Sequence, residues 1–258
     1  MSKGKKNASR GDSRWLGRAL ALIERVGNLL PHPAILFGSL ALAVILLSAL
    51  AFIAGGVGLI TAFTMGTGPF LILFVMSLLG LSYNLRLFPA KLAGRNYYRI
   101  RDIPGSKTIL IAVAWGAVTS LLPPLSRVSL SETGAVSMIL VFVIATLLVF
   151  ARTAFFDILD MQGDRIVGKG TIPILIGEKQ AMRLLKMVLL AVLFLLLFSS
   201  AAGLVSSLGF FLLICPVFLL ILFSTHERGY MQPGIRLEFL VETHFILAGV
   251  ITFLWAMV

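Results

Sequence analysis

The segment Ala135–Lys179 reads "AVSMILVFVIATLLVFARTAFFDILDMQGDRIVGKGTIPILIGEK". Its first half is an apolar run of membrane length, since a hydrocarbon core of ~30 Å takes about 20 helical residues. Its second half sets three aspartates, Asp157, Asp160 and Asp164, among glycines and basic residues. The first half decides the fold class. The second raises the functional question, because carboxylates crowded at the end of a membrane helix repel one another unless a cation holds them.

Outward from this segment the apolar pattern recurs. The chain has 258 residues, 59% hydrophobic and 13% charged, with a mean hydropathy of +1.01, whereas soluble domains carry about 25% charged residues. The pattern predicts seven spanning helices, over 33–54, 66–86, 108–125, 135–155, 184–203, 207–224 and 238–257. No strand is assigned to them, because an open strand edge cannot be satisfied in lipid. The expected fold is therefore all-α, a polytopic membrane helical bundle. Residues 1–12 are polar and basic and are expected to be disordered. Residues 13–31 place Trp15, Leu16, Ala19, Leu20, Ile23, Val26 and Leu30 at helical spacing, as in an amphipathic helix lying in the membrane interface. The chain thus divides into a tail and interfacial helix, 1–31, and a transmembrane domain, 32–258.

A net charge of +11 would suggest nucleic acid in a soluble protein. Here the basic residues gather in alternate loops, as the positive-inside rule expects, and this excludes nucleic acid as the partner. The N-terminal tail and the 87–107, 156–183 and 225–237 loops hold them, whereas 55–65 and 204–206 have none and 126–134 only Arg127. This pattern puts the N-terminus and the aspartates in the cytoplasm and points to membrane lipids and an anionic substrate as partners. One cysteine, Cys215, and three scattered histidines exclude a cysteine or histidine metal site.

On a continuous helix the i, i+3, i+7 spacing sets Asp157, Asp160 and Asp164 on one face. Mg²⁺ suits such a set, since it takes oxygen ligands and bridges one or two carboxylates to substrate phosphates. Arg165 and Lys169 follow and would meet the remaining phosphate charge. The pattern reads as a diphosphate–Mg²⁺ site; the alternative is a solvated helix end whose charges face water.

The wider stretch is more specific. Asp157, Asp160, Gly163-Asp164-Arg165, Gly168, Thr171-Ile172-Pro173 and Ile176-Gly177 occur in an order that resembles the second aspartate-rich motif of the UbiA superfamily of intramembrane prenyltransferases. Upstream, "YNLRLFPAKLAGRNYYRIRDIPGSKTILIAVAWG" is similar to that family's tyrosine-led helix end, basic loop and Ile-Pro-Gly–x–Lys lead-in to the next helix. The resemblance covers roughly residues 33–258. It implies a bundle of nine helices in which Mg²⁺ holds an isoprenyl diphosphate between two aspartate motifs. The prenyl group passes to an acceptor, often aromatic, as in 4-hydroxybenzoate polyprenyltransferases of quinone biosynthesis. Carried over, Asp157, Asp160 and Asp164 become catalytic metal and diphosphate ligands. Lys91, Arg165 and Lys169 become diphosphate contacts, and Tyr83 and Asn84 line the cavity. For Tyr83 an interfacial aromatic is the competing role, for Lys91, Arg95 and Arg99 a topology-setting charge, and for Glu242 a snorkelling acid.

The family's first, Asn-Asp-led motif has no counterpart here: before residue 102 the only acids are Asp12 and Glu24. A segment upstream of Met1, a partner chain or a second copy would have to supply it. The expected function is prenyl transfer from a diphosphate to an acceptor in a bacterial inner membrane. The alternative is a catalytically incomplete relative acting as a binding or assembly subunit, or one part of a split enzyme. A transporter is disfavoured, since it would need charges at mid-membrane and the reading finds none in the expected spans.

Overall fold

Each expected apolar span contains a helix in the computed structural model, which describes residues 33–83, 85, 88–89, 97–125 and 132–257. The expected tail and interfacial helix, 1–31, lie outside the described residues. The helices are α1 (Pro33–Met65), α2 (Thr67–Ser82), α3 (Ser106–Ser120), α4 (Leu122–Leu125) and α5 (Glu132–Leu159). They continue with α6 (Met161–Val167), α7 (Ile172–Ile176), α8 (Glu178–Ala201), α9 (Leu208–Leu212), α10 (Ile214–Glu227) and α11 (Ile235–Ala256). Between α2 and α3 lie a 3-10 turn, Ile100–Asp102, and a two-residue antiparallel ribbon in which Phe88 pairs with Tyr98 and Pro89 with Tyr97.

Among the described residues, five helical stretches are long and apolar enough to cross a membrane: 37–65, 134–159, α8, α9 with α10, and α11. The chain is an integral membrane protein of the all-α bundle class. Helices α2 and α3 have 16 and 15 residues, which at 1.5 Å per residue gives ~24 Å or less. The expected seven spans are thus five long helices and two short ones.

Several boundaries move for identifiable reasons. Residues 55–65 were expected to form a loop, but α1 runs through Gly55, Gly56 and Gly58 to Met65. No proline interrupts it before Gly66, whose φ of 132° ends the helix. Helix α3 stops at Ser120 because Pro123 and Pro124 cannot donate to carbonyls four residues back, and α4 is a separate turn. The 207–224 span breaks at Leu213 for the same reason: Pro216 cannot donate to the Leu212 carbonyl.

By contact density the chain divides into Met1–Val57 and Gly58–Val258. The described part of the first is the opening of α1, an uninterrupted apolar run. The core of the second joins α5, α8, α10 and α11 through Phe155, Ile158, Leu185, Leu189, Leu219, Phe223 and Val241. Phe155 stacks on Phe223 with centroids 4.1 Å apart and meets His226 edge-on. Large apolar side chains such as Trp115, Ile139, Phe194 and Phe253 face outward, as expected where the solvent is lipid.

What positions the site is the antiparallel pair α3 and α5. Small residues let the two backbones approach: a Cβ on Gly116 would stand 2.1 Å from the Thr146 hydroxyl oxygen. In lipid, such close packing rather than water exclusion drives helix association. It fixes the first turn of α3 beside the last turn of α5, and so Thr108 beside Asp157.

Candidate functional site

Two loops interlock at this end of the pair. The Gly105 N–H donates to the Gly170 carbonyl at 3.1 Å. Gly105 has φ +75°, and a Cβ there would lie 2.6 Å from Ile172 Cγ1; one on Gly170 would lie 3.2 Å from Pro104 Cγ. The Pro104–Gly105 turn and the 168–172 loop therefore approach at a distance that only glycine permits. Gly168, at φ +73°, ends α6 and turns the chain so that the Lys169 N–H reaches the Asp164 carbonyl at 2.9 Å.

Between the loops is a cavity of about 670 Å³. Tyr83, Arg101 and Asp102 line one side, the first turn of α3 (Ser106, Lys107, Thr108) a second, and Asp157, Asp164 and residues 168–171 the rest. Asp157 is 6% exposed and accepts a hydrogen bond from the buried Thr108 hydroxyl. Asp164 is 8% exposed and pairs with the Lys169 ammonium at 3.0 Å. That hydrogen bond, and then the charge of Asp164 with smaller contributions from Asp160 and Asp157, hold Lys169 above the ordinary lysine value. The raised value means that the Lys169 ammonium keeps its proton through the ordinary lysine range and loses it only above that range. Helix α3 begins at the cavity with no side-chain cap, so the positive end of its dipole faces the space. The hydroxyls of Ser106 and Thr171 are buried there with no hydrogen-bond partner among the described residues. A buried hydroxyl without a partner costs about 1–3 kcal/mol, and these two line the cavity wall.

The three aspartates do not line one cavity: Asp157 and Asp164 line the larger one and Asp160 does not. The helix also breaks at Asp160, where ψ is 2°. Asp160 is exposed and lines a second cavity of about 470 Å³ with Arg152, Glu238 and Glu242. Asp157 and Lys107 line both cavities, which therefore adjoin. No group of three or more His, Cys, Asp and Glu side chains is arranged to hold a metal ion among the described residues. The two buried carboxylates of the larger cavity, Asp157 and Asp164, suit a cation that completes its shell with water and phosphate oxygens, and do not suit an all-protein cage.

Of the other expected contacts, Tyr83 and Lys169 line the larger cavity, whereas Arg165 is exposed and outside its wall. Asn84 and Lys91 lie outside the described residues. Sequence reasoning missed Ser106, Lys107, Thr108 and Thr171 as wall residues; the signal was the polar Ser-Lys-Thr directly after Ile-Pro-Gly at a helix start. Near the ends of two expected spans, Arg152 and Glu242 are paired across α5 and α11, with Arg152 4.7 Å over the Phe156 ring. His244, fully buried, bonds through Nδ1 to the Val241 carbonyl. Comparison with protein-family models, with curated proteins and with solved structures returns no match.

Proposed function

We propose that this chain binds an isoprenyl diphosphate in the larger cavity and transfers its prenyl group to an acceptor, as the resemblance to UbiA-type prenyltransferases implies. One observation carries the reading: two buried carboxylates, two lysines, a helix N-terminus and two buried hydroxyls with no partner among the described residues converge on one cavity. Asp157 and Asp164 would hold Mg²⁺, which when bound neutralises diphosphate charge. Lys107, Lys169 and the α3 N-terminus bind the phosphate oxygens, with the hydroxyls of Ser106 and Thr171 as further partners. Thr108 fixes the Asp157 carboxylate through its hydrogen bond. The prenyl carbon–oxygen bond breaks with its electron pair on the diphosphate, a carbon–carbon bond forms to the acceptor, and the acceptor loses a proton. The charge growing on the leaving group falls where the lysines and the helix end already point. This end of the bundle faces the cytoplasm of a bacterial inner membrane, a placement supported by the basic residues of alternate loops.

The test is equilibrium binding of a radiolabelled prenyl diphosphate to the purified chain, with Mg²⁺ and with chelator. Binding should need Mg²⁺, and Asp157→Asn or Asp164→Asn should weaken it by about ten-fold or more, since a hydrogen bond to a charged group contributes ~1.5–3 kcal/mol. Asp160→Asn should do less. Equal binding by wild type and all three variants, or none by wild type, defeats the reading. One observation favours a second reading, a binding or assembly subunit: the sequence holds one aspartate-rich motif where the resembled family has two. Mg²⁺-dependent binding without prenyl transfer to any aromatic acceptor would select it.

A further inference from the structure

Another cavity, of about 600 Å³, lies at the same end of α5 and shares no lining residue with the two already described. The end of α5 and the start of α6 form one wall, the first turns of α8 a second, and the end of α10 with the loop after it a third. Lys179 and Arg183 stand four residues apart on α8, on one helix face, and both line the space. Beside them are Gln162 and His226, whose Nδ1 meets the Met231 carbonyl at 2.9 Å. The two acids of the wall are engaged elsewhere. Glu227 pairs with Lys186, and Glu178 sits in the first turn of α8, where the helix dipole favours a carboxylate. Neither Lys179 nor Arg183 has an ion-pair partner among the described residues.

The face of α8 that carries this basic pair continues as Met187, Leu190, Phe194 and Phe198, at steps of four, three, four and four residues. All four are exposed, whereas Leu185, Leu189, Val192 and Leu196 on the opposite face are buried in the core. From Met187 to Phe198 is ~16 Å along the axis, about half of a ~30 Å hydrocarbon core and so the depth of one leaflet. A soluble phosphate would use the basic pair alone. A basic pair set at the head of an apolar face one leaflet deep matches a lipid with a negatively charged head. We infer that the cavity at the start of α8 binds the phosphate headgroup of an anionic phospholipid whose acyl chain lies along this face of α8. The site is separate from the polar cavity and stands whether or not that cavity takes a diphosphate.

The experiment titrates the purified, delipidated chain in neutral detergent and counts bound ligand by native mass spectrometry. The probes are dioleoyl phosphatidylglycerol, dioleoyl phosphatidylcholine, which has the same chains and no net charge, and glycerol phosphate, which has only the head. Wild type should bind phosphatidylglycerol about 25-fold more tightly than phosphatidylcholine, since each basic residue at a membrane surface contributes roughly five-fold. Lys179→Gln and Arg183→Gln should each lose about five-fold of that preference, and the double variant all of it. Both side chains are exposed, so the variants should fold. Arg165→Gln with Arg236→Gln removes the same charge without touching this cavity and should keep the preference, as should Asp157→Asn. A diazirine-tailed phosphatidylglycerol should label α8 between Met187 and Phe198 on irradiation. Equal affinity for the two lipids, an equal loss in the Arg165/Arg236 control, or labelling confined to other helices overturns the site. Glycerol phosphate bound as tightly as phosphatidylglycerol overturns the lipid assignment in favour of a soluble phosphate ligand.

Discussion

Replacing Gly105 with alanine should unfasten the two loops that frame the polar cavity. Two costs add. An L-residue held at φ +75° costs ~1–2 kcal/mol. The new Cβ would also stand 2.6 Å from Ile172 Cγ1 and 3.1 Å from Cδ1, and overpacking of this kind costs ~1–3 kcal/mol. Because Ile172 is branched at Cβ, next to the backbone, the contact is relieved only by a new χ1 for Ile172 or by parting the Gly105–Gly170 hydrogen bond. A loss of about 2–5 kcal/mol follows, or roughly 4–20 °C in the unfolding midpoint of a domain this size. The assay is thermal unfolding in detergent of wild type, Gly105→Ala, Gly105→Asn and each combined with Ile172→Ala. Asparagine tolerates the left-handed conformation better, so its residual cost reports the steric contact, which Ile172→Ala should remove. If Gly105→Ala unfolds within 1–2 °C of wild type, or if Ile172→Ala rescues nothing, the interlock does not hold the loops and the argument is refuted.

Thr108→Val should destabilise by about 1–3 kcal/mol, because it leaves the Asp157 carboxylate without its buried donor; Thr108→Ser should restore most of the loss in the same unfolding assay. Arg152→Leu and Glu242→Leu should each cost roughly 1–3 kcal/mol, less than a fully buried pair because the side chains are 27% and 40% exposed. The double variant should be more stable than the sum of the single losses predicts, and strict additivity would show that the two charges do not interact.

The sequence was a sufficient guide to class. Apolar runs of membrane length appear where the five long helices form, because in lipid every backbone group must be satisfied within its own segment. The 157–179 motif begins at the end of α5, and Asp157, Asp164 and Lys169 line one cavity. Two things were legible but underweighted: the prolines that cut α3 from α4 and α9 from α10, and the Ser106-Lys107-Thr108 turn at a helix start.

Periodicity determined by itself that the chain is a membrane bundle and that its carboxylates gather at one helix end. It could not determine which of the three face the same space. All three fall within a ~60° arc of an ideal helix, but α5 ends at Leu159, between Asp157 and Asp160, and only Asp157 and Asp164 of the three line the larger cavity. Partners remote in sequence were equally hidden: Thr108 meets Asp157, and Arg152 meets Glu242, only because α3, α5 and α11 pack together. Such contacts are set by helix crossings, which depend on how small residues such as Gly116 let two backbones approach.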